Sequence, residues 1–379
     1  MTATQRMTVA IGFTQTLAWA TTFYVPATMV GPASIEIGAS PTVLLGGFSM
    51  ALLVTGLMSP WVGRRIDRLG GRGVLAISTC VTASGLALMA AVPSLVTWYA
   101  AWMVMGVGMA MGLYDAAFGT IGRLLGAESR PSIVGVTLLA GFASTIGWPA
   151  GAYLAAHIGW RWTVLLYAGI QVFLLLPIIL AFVPRAPAHG PAAPKTVQVT
   201  DAPAPRAFFF LAAYFTLRSG INAVIMVHAL TLLGGMGYSA AAAVGAATLI
   251  GPAQVGSRVI DWFFGRGLNP MVTGVVSAIL LPVGMVALLA GLPAAGFTLI
   301  YGLSNGILTI SRGTLPMHVF GPEGYAARIG KLALPALLAS AVAPTVVSPL
   351  MQAWPTSWVI ALLGGVSVLA CLCLLGLRR

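Results

Sequence analysis

The chain has 379 residues, of which 59% are hydrophobic and only 7% charged, and its formal net charge is +12. A soluble domain carries roughly 25% charged residues, so this composition excludes a water-dissolved globule and points to a chain embedded in lipid. Nucleic acid is not the implied partner, because the Lys and Arg residues sit in short segments between apolar runs, with no zinc-finger spacing and no basic helix.

Hydropathy predicts twelve helical spans, at 7–30, 43–63, 73–93, 96–122, 132–157, 160–183, 207–234, 239–263, 270–292, 295–319, 328–351 and 357–377. Each is about long enough to cross the bilayer's apolar layer, with some tilt. The first follows Arg6, is longer than a signal-peptide core and has no clear cleavage pattern after it, so it reads as a retained span. Span eleven holds Pro335, Pro344 and Pro349 and is expected to bend.

Residues 184–206 are rich in Pro and Ala and read as a cytoplasmic linker. The expected organisation is an N-terminal six-helix bundle over 1–183, the linker, and a C-terminal six-helix bundle over 207–379. With the N-terminus inside, the inner side collects Arg6, Arg64, Arg65, Arg68, Arg72, Arg123, Arg130, Arg185, Lys195, Arg206, Arg266, Arg328, Lys331, Arg378 and Arg379. The outer side holds Arg161 alone. This asymmetry places both termini in the cytoplasm.

Asp115, Arg312 and Arg218 are charges set at depth in their spans. Asp115 sits seven residues before the end of span four, about 10 Å along a helix. A carboxylate at depth costs about 2.5–3.5 kcal/mol on insertion scales, so it is expected to face a cavity or a partner. Arg312 occupies the matching position in span ten and is the expected partner; the alternative is that both charges snorkel separately. Arg218 lies near the middle of span seven. Arginine does not shed its proton, and no acid of the second half lies at its depth. It is a candidate anion binder, or else a structural hub for backbone carbonyls. Asn222 follows on the same helix face, and span one offers Gln15, Trp19 and Tyr24. Tyr114 and Phe118 flank Asp115, as a binding platform or simply as packing.

The three cysteines, Cys80, Cys371 and Cys373, lie in apolar runs and suggest neither disulfides nor a metal cluster. Gly302-Leu303-Ser304-Asn305-Gly306 fits a hydrolase elbow but lies in an apolar span with no strand before it. Gly106, Gly108 and Gly112 loosely echo a nucleotide loop, but close helix packing explains them better. No nucleophile with a base in reach is evident, so no enzyme is implied, and neither a cofactor nor a metal.

The halves echo each other. "GRRIDRLGGRG", Gly63 to Gly73, follows span two, and "GSRVIDWFFGRG", Gly256 to Gly267, follows span eight. With the twelve spans and the central linker, the first segment resembles the major facilitator superfamily. The signature Gly-x-x-x-Asp-Arg-x-Gly-x-Arg is matched by Gly63, Asp67, Arg68, Gly70 and Arg72. "GWRW" at Gly159, Trp160, Arg161 and Trp162 is a second common feature. The resemblance implies an all-α membrane protein of two pseudo-symmetric six-helix bundles. It also implies that Asp67, Arg68 and Arg72 act as a gating latch rather than only as membrane anchors. Two departures separate the chain from proton-coupled multidrug exporters of that family. Trp102 stands where they carry an arginine, and Trp148 interrupts the Gly147–Pro149 pair of span five.

The expected function is secondary transport by alternating access. The substrate is a small organic anion or amphipathic metabolite, and the direction is proton-coupled export with Asp115 as the titrating group. Substrate contacts are expected from Arg218, Arg312, Asp115, Tyr114, Asn222, Gln15, Trp19 and Tyr24. Organic-anion uptake and drug or metalloid efflux are the alternatives. The partners are the substrate, protons and the lipid bilayer. The expected setting is a monomer in a bacterial inner membrane. A pore would need a continuous polar lining, which these spans lack.

Overall fold

The computed structural model describes residues 1–186, 205–265 and 267–378. Most of the predicted linker, and Lys195, Arg266 and Arg379 of the orientation argument, lie outside the described residues. Among the described residues every regular element is a helix, as lipid requires of a chain that must satisfy its backbone internally. Among the described residues, nine helical segments are long and apolar enough to cross a membrane.

Packing divides the chain into two units, Met1–His189 with Pro322–Leu334, and Gly190–Gly321 with Pro335–Arg379. The first unit holds α1 (Ala3–Ala20), α2 (Val25–Ile37), α3 (Pro41–Leu69), α4 (Gly71–Ala91), α5 (Leu95–Gly112), α6 (Tyr114–Leu125), α7 (Arg130–Ala140), α8 (Ala143–Ile158), α9 (Trp160–Gly169) and α10 (Leu176–Phe182). A π-helical turn over Ile170–Leu175 joins the last two. The second unit holds α11 (Pro205–Gly235), α12 (Ala240–Thr248), α13 (Ile250–Phe264), α14 (Pro270–Leu289), α15 (Ala294–Phe320) and α17 (Thr356–Leu375). Between the last two, α16 (Tyr325–Ala353) begins in the first unit and continues in the second.

Four predicted spans are interrupted. Span one is α1 and α2 in tandem, and it reaches Ile37 rather than residue 30. Pro26 stands in the first turn of α2, where its missing N–H costs nothing, and the chain turns just before it. Span eight breaks at Leu249, three residues before Pro252, whose ring would clash with the Thr248 carbonyl. Span five breaks at Gly141–Phe142, and span four at Leu113, whose backbone is extended. The triple-proline helix α16, by contrast, runs unbroken.

Within each unit the same pairs of helices pack. In the first, α3 packs on α5, α5 on α4 and α4 on α9. In the second, α13 packs on α15, α15 on α14 and α14 on α17. Glycines let the paired backbones approach. A Cβ at Gly106 of α5 would stand 2.7 Å from the Ala51 carbonyl oxygen of α3, and one at Gly302 of α15 would stand 2.7 Å from the Ile250 carbonyl oxygen of α13. The internal repeat is therefore built into the packing seams. Large apolar side chains such as Ile35, Trp162 and Phe173 face outward, which suits lipid rather than water.

Candidate functional site

At the end of α3 the signature residues do distinct jobs. The Asp67 carboxylate accepts hydrogen bonds from two backbone amides at the start of α16, Ala326 N–H at 3.1 Å and Ala327 N–H at 2.8 Å. These amides belong to a helix N-terminus, where no carbonyl of the helix itself can reach them, and the helix dipole favours an anion there. The charges of Arg123 and Arg328 also act on the carboxylate. Arg123 Nε donates to the Asp67 carbonyl at 3.1 Å. Arg72 donates to the Leu180 carbonyl near the end of α10, and Arg68 is exposed. The approach of α16 depends on missing side chains: a Cβ at Gly63 would meet the Ala326 carbonyl, and one at Gly330 would meet that of Ser59.

Deeper in the first unit, Asp115 stands in the first turn of α6, immediately after the break at Leu113, and is half-buried. Its charge acts on Tyr325, which is fully buried. The break removes the helical partner of the Gly112 carbonyl, and Gln15 of α1 supplies one, donating through Nε2 at 2.6 Å. Aromatic rings continue from there. Tyr114 stacks on Phe118 at 5.2 Å between ring centres and meets Trp19 at 4.9 Å; Trp19 in turn lies 6.4 Å from Tyr24. Gln15, Trp19, Tyr24, Tyr114 and Asp115 are thus brought into one cluster. Trp102, the departure from the exporter pattern, is buried beside Phe48 at 5.4 Å. Gly147 and Gly151 of α8 pack on Ala20 and Thr28.

The second unit gathers a different group around Arg218, which is only 2% exposed. Its guanidinium donates to Ser304 Oγ at 2.7 Å, and Ser304 Oγ donates onward to the Ser277 carbonyl at 2.7 Å. Tyr214, Tyr301 and Cys371 lie close enough to act on it electrostatically, while its Nε makes no hydrogen bond. The Tyr214 hydroxyl stands nearby without a hydrogen bond of good geometry. Tyr301 donates to Asn222 Oδ1, which joins Asn222 to the same group. Arg312 is half-buried on α15, eight residues beyond Ser304 and so about 12 Å further along that helix. Arg218 and Asn222 come together; Arg312 stands apart from them.

Sequence reasoning missed Tyr214, Tyr301, Ser277 and Ser304. Tyr214 carried a usable signal, four residues before Arg218 on one helix face. Ser304 was set aside with a hydrolase pattern, although a lone hydroxyl at mid-span depth was itself a candidate partner for a buried cation. Among the described residues no cluster of three or more His, Cys, Asp or Glu side chains could hold a metal.

No curated protein matches the chain in sequence. Solved structures do resemble it. The human organic anion transporter MFSD10 (TETRAN) superposes with a TM-score of 0.78 at 16% identity, over 99% of this chain and 100% of that one. The proton:xylose symporter XylE, bound to 6-bromo-6-deoxy-D-glucose, gives 0.76 at 15% identity over 97% and 94%. FucP, a major facilitator transporter in the outward conformation, gives 0.72 at 11% identity over 98% and 99%. At such identities the likeness shows the fold alone. In sequence, the family model described as Major Facilitator Superfamily matches residues 8–330. The chain is therefore a membrane transporter, not an enzyme, and it belongs to the major facilitator superfamily.

Proposed function

We propose that the chain exports a small organic anion or amphipathic metabolite by alternating access, driven by protons, with twelve passes and both termini in the cytoplasm. The observation that carries the substrate class is Arg218. Its guanidinium is buried among neutral groups, and a buried cation is costly unless an anion or a full set of acceptors meets it. Asn222, and Arg312 further along α15, extend the positive and polar character of this unit toward a bound anion. The organic anion transporter among the structural neighbours fits the same reading. Asp115 is the proposed proton carrier, and Asp67, Arg68 and Arg72 the proposed latch. The ring cluster of Trp19, Tyr24 and Tyr114 favours a second reading, efflux of flat amphipathic drugs.

The test is a thermal-shift screen of the purified protein against carboxylates, sulfonates and cationic drugs, since a ligand of the folded state raises its apparent stability. Anions are expected as hits. Arg218→Gln should weaken a hit about tenfold or more, because hydrogen bonds to charged groups contribute about 1.5–3 kcal/mol. An anion bound with unchanged affinity by Arg218→Gln would make Arg218 purely structural. In liposomes, Asp115→Asn should abolish pH-driven movement while sparing exchange; pH-driven transport surviving in that variant removes Asp115 from the proton path.

A further inference from the structure

The signature end of α3 is one-sided. Leu57 and Trp61 are exposed large apolar side chains, and Arg64, Arg65 and Arg68 are exposed beyond them. At 3.6 residues per turn these five fall within an arc of about 100° on one helix face. Trp61 stands about 6 Å along the axis from Leu57, and Arg68 about 10 Å beyond Trp61. Leu69 closes the helix to one side of this arc. The opposite face is occupied: Ser59 and Gly63 lie against α16, and Asp67, the one acid of α3, is turned to the α16 amides. The exposed face therefore carries three cations and no acid. Arg65 lies over the Trp61 ring, 5.7 Å from its centre, and among the described residues none of the three guanidiniums donates a hydrogen bond.

Apolar, aromatic, basic is the order met on leaving a bilayer through its acyl chains, its headgroup boundary and the water. Orientation alone would not require the charges to share one helix face. The matching end of α13 in the second unit exposes Val259, Ile260, Phe263 and Phe264 instead, and its Arg258 is buried. A zwitterionic headgroup brings its own cation, and this face of α3 has no acid to receive it. A free phosphate would meet only exposed guanidiniums, which salt screens. An anionic phospholipid meets both parts, because guanidiniums match phosphate oxygens and the apolar residues match the chains. We propose that this face of α3 binds an anionic phospholipid, with Arg64, Arg65 and Arg68 on the headgroup phosphate and Leu57 and Trp61 against the upper acyl chains. The proposal rests on the membrane-spanning fold and not on the substrate assignment.

The experiment needs no substrate. Purified, delipidated full-length protein in detergent is titrated with phosphatidylglycerol, with phosphatidylcholine and with glycerol phosphate, and bound molecules are counted by native mass spectrometry. The expected result is saturable binding of phosphatidylglycerol well ahead of the other two. Each arginine should contribute about fivefold, ~1 kcal/mol, so Arg64→Gln with Arg65→Gln should weaken that binding about twentyfold. Trp61→Ala should weaken it as well, with no change of charge. Arg6→Gln with Arg185→Gln removes two exposed charges elsewhere and should leave it unchanged. Equal binding of the two lipids, or an equal loss in both double variants, overturns the proposal, since only the net charge would then matter. Glycerol phosphate binding as tightly as the lipid overturns it too, because the chains would then contribute nothing.

Discussion

Asp67 holds α16 by its backbone, and this decides how the residue should respond to mutation. Both carboxylate oxygens accept from consecutive amides, so Asp67→Asn retains the shape but only one acceptor oxygen and no charge. Losing one bond to a charged acceptor is worth about 1.5–3 kcal/mol, which predicts a fall in turnover of about tenfold or more with ligand binding nearly intact. Transport and binding measured side by side check this; a variant with normal turnover contradicts it. Glu36 shows the same economy at the other motif. Its carboxylate takes Trp160 Nε1 at 2.7 Å and Arg161 at 3.2 Å, while Arg161 also bonds the terminal carbonyls of α4, Ala90 and Ala91. The ion pair is well exposed and contributes little, about 0.2–1 kcal/mol, so the Trp160 bond should matter more. Glu36→Ala should lower the melting midpoint by more than high salt lowers that of the wild type; a smaller effect would assign the clamp to charge alone. Neither partner set was legible beforehand. Asp67 and Arg161 answer to backbone groups, which every residue carries and which leave no mark in a sequence.

Among the helices, what could be read followed from lipid. A segment that must close its own hydrogen bonds over the bilayer announces itself by length and apolarity, so α4, α14, α15 and α17 fall within a few residues of the predicted spans, while α3 runs six residues past its predicted end. The breaks were harder. Those near Pro26 and Pro252 have a local cause that could have been read; the one at Leu113 has none in its own sequence. It is compatible with the fold because Gln15, ninety-seven positions earlier in the chain, takes up the Gly112 carbonyl. The Arg218 group was half legible: the charge was conspicuous and Tyr214 shares its helix, but Ser304, Ser277 and Tyr301 come from other helices. The repeat was read only in loop segments, yet it also resides in the paired glycine seams. Gly106→Leu and Gly302→Leu should be comparably harmful, since each drives a side chain into a backbone carbonyl, at a cost of about 1–3 kcal/mol or more. Folded yield and melting midpoint of the two variants compare them. A harmless change at either position would deny that the two seams are equivalent.

For the molecule as a whole, the shared helix α16 has the most to say. Its membership changes from one unit to the other between Leu334 and Pro335. Pro335 has no N–H to offer the Lys331 carbonyl, so the backbone ladder lacks a rung one residue from that change. A continuous rod with one end clamped by Asp67 and the other seated elsewhere would resist any cycle of opening and closing. One missing rung lowers the cost of bending at that point. Pro335→Ala restores the rung and should raise the melting midpoint while slowing turnover; faster transport in that variant would show that the cycle runs without bending there. The missing rung would then give α16 a point of bending about eight residues beyond the amides that Asp67 holds.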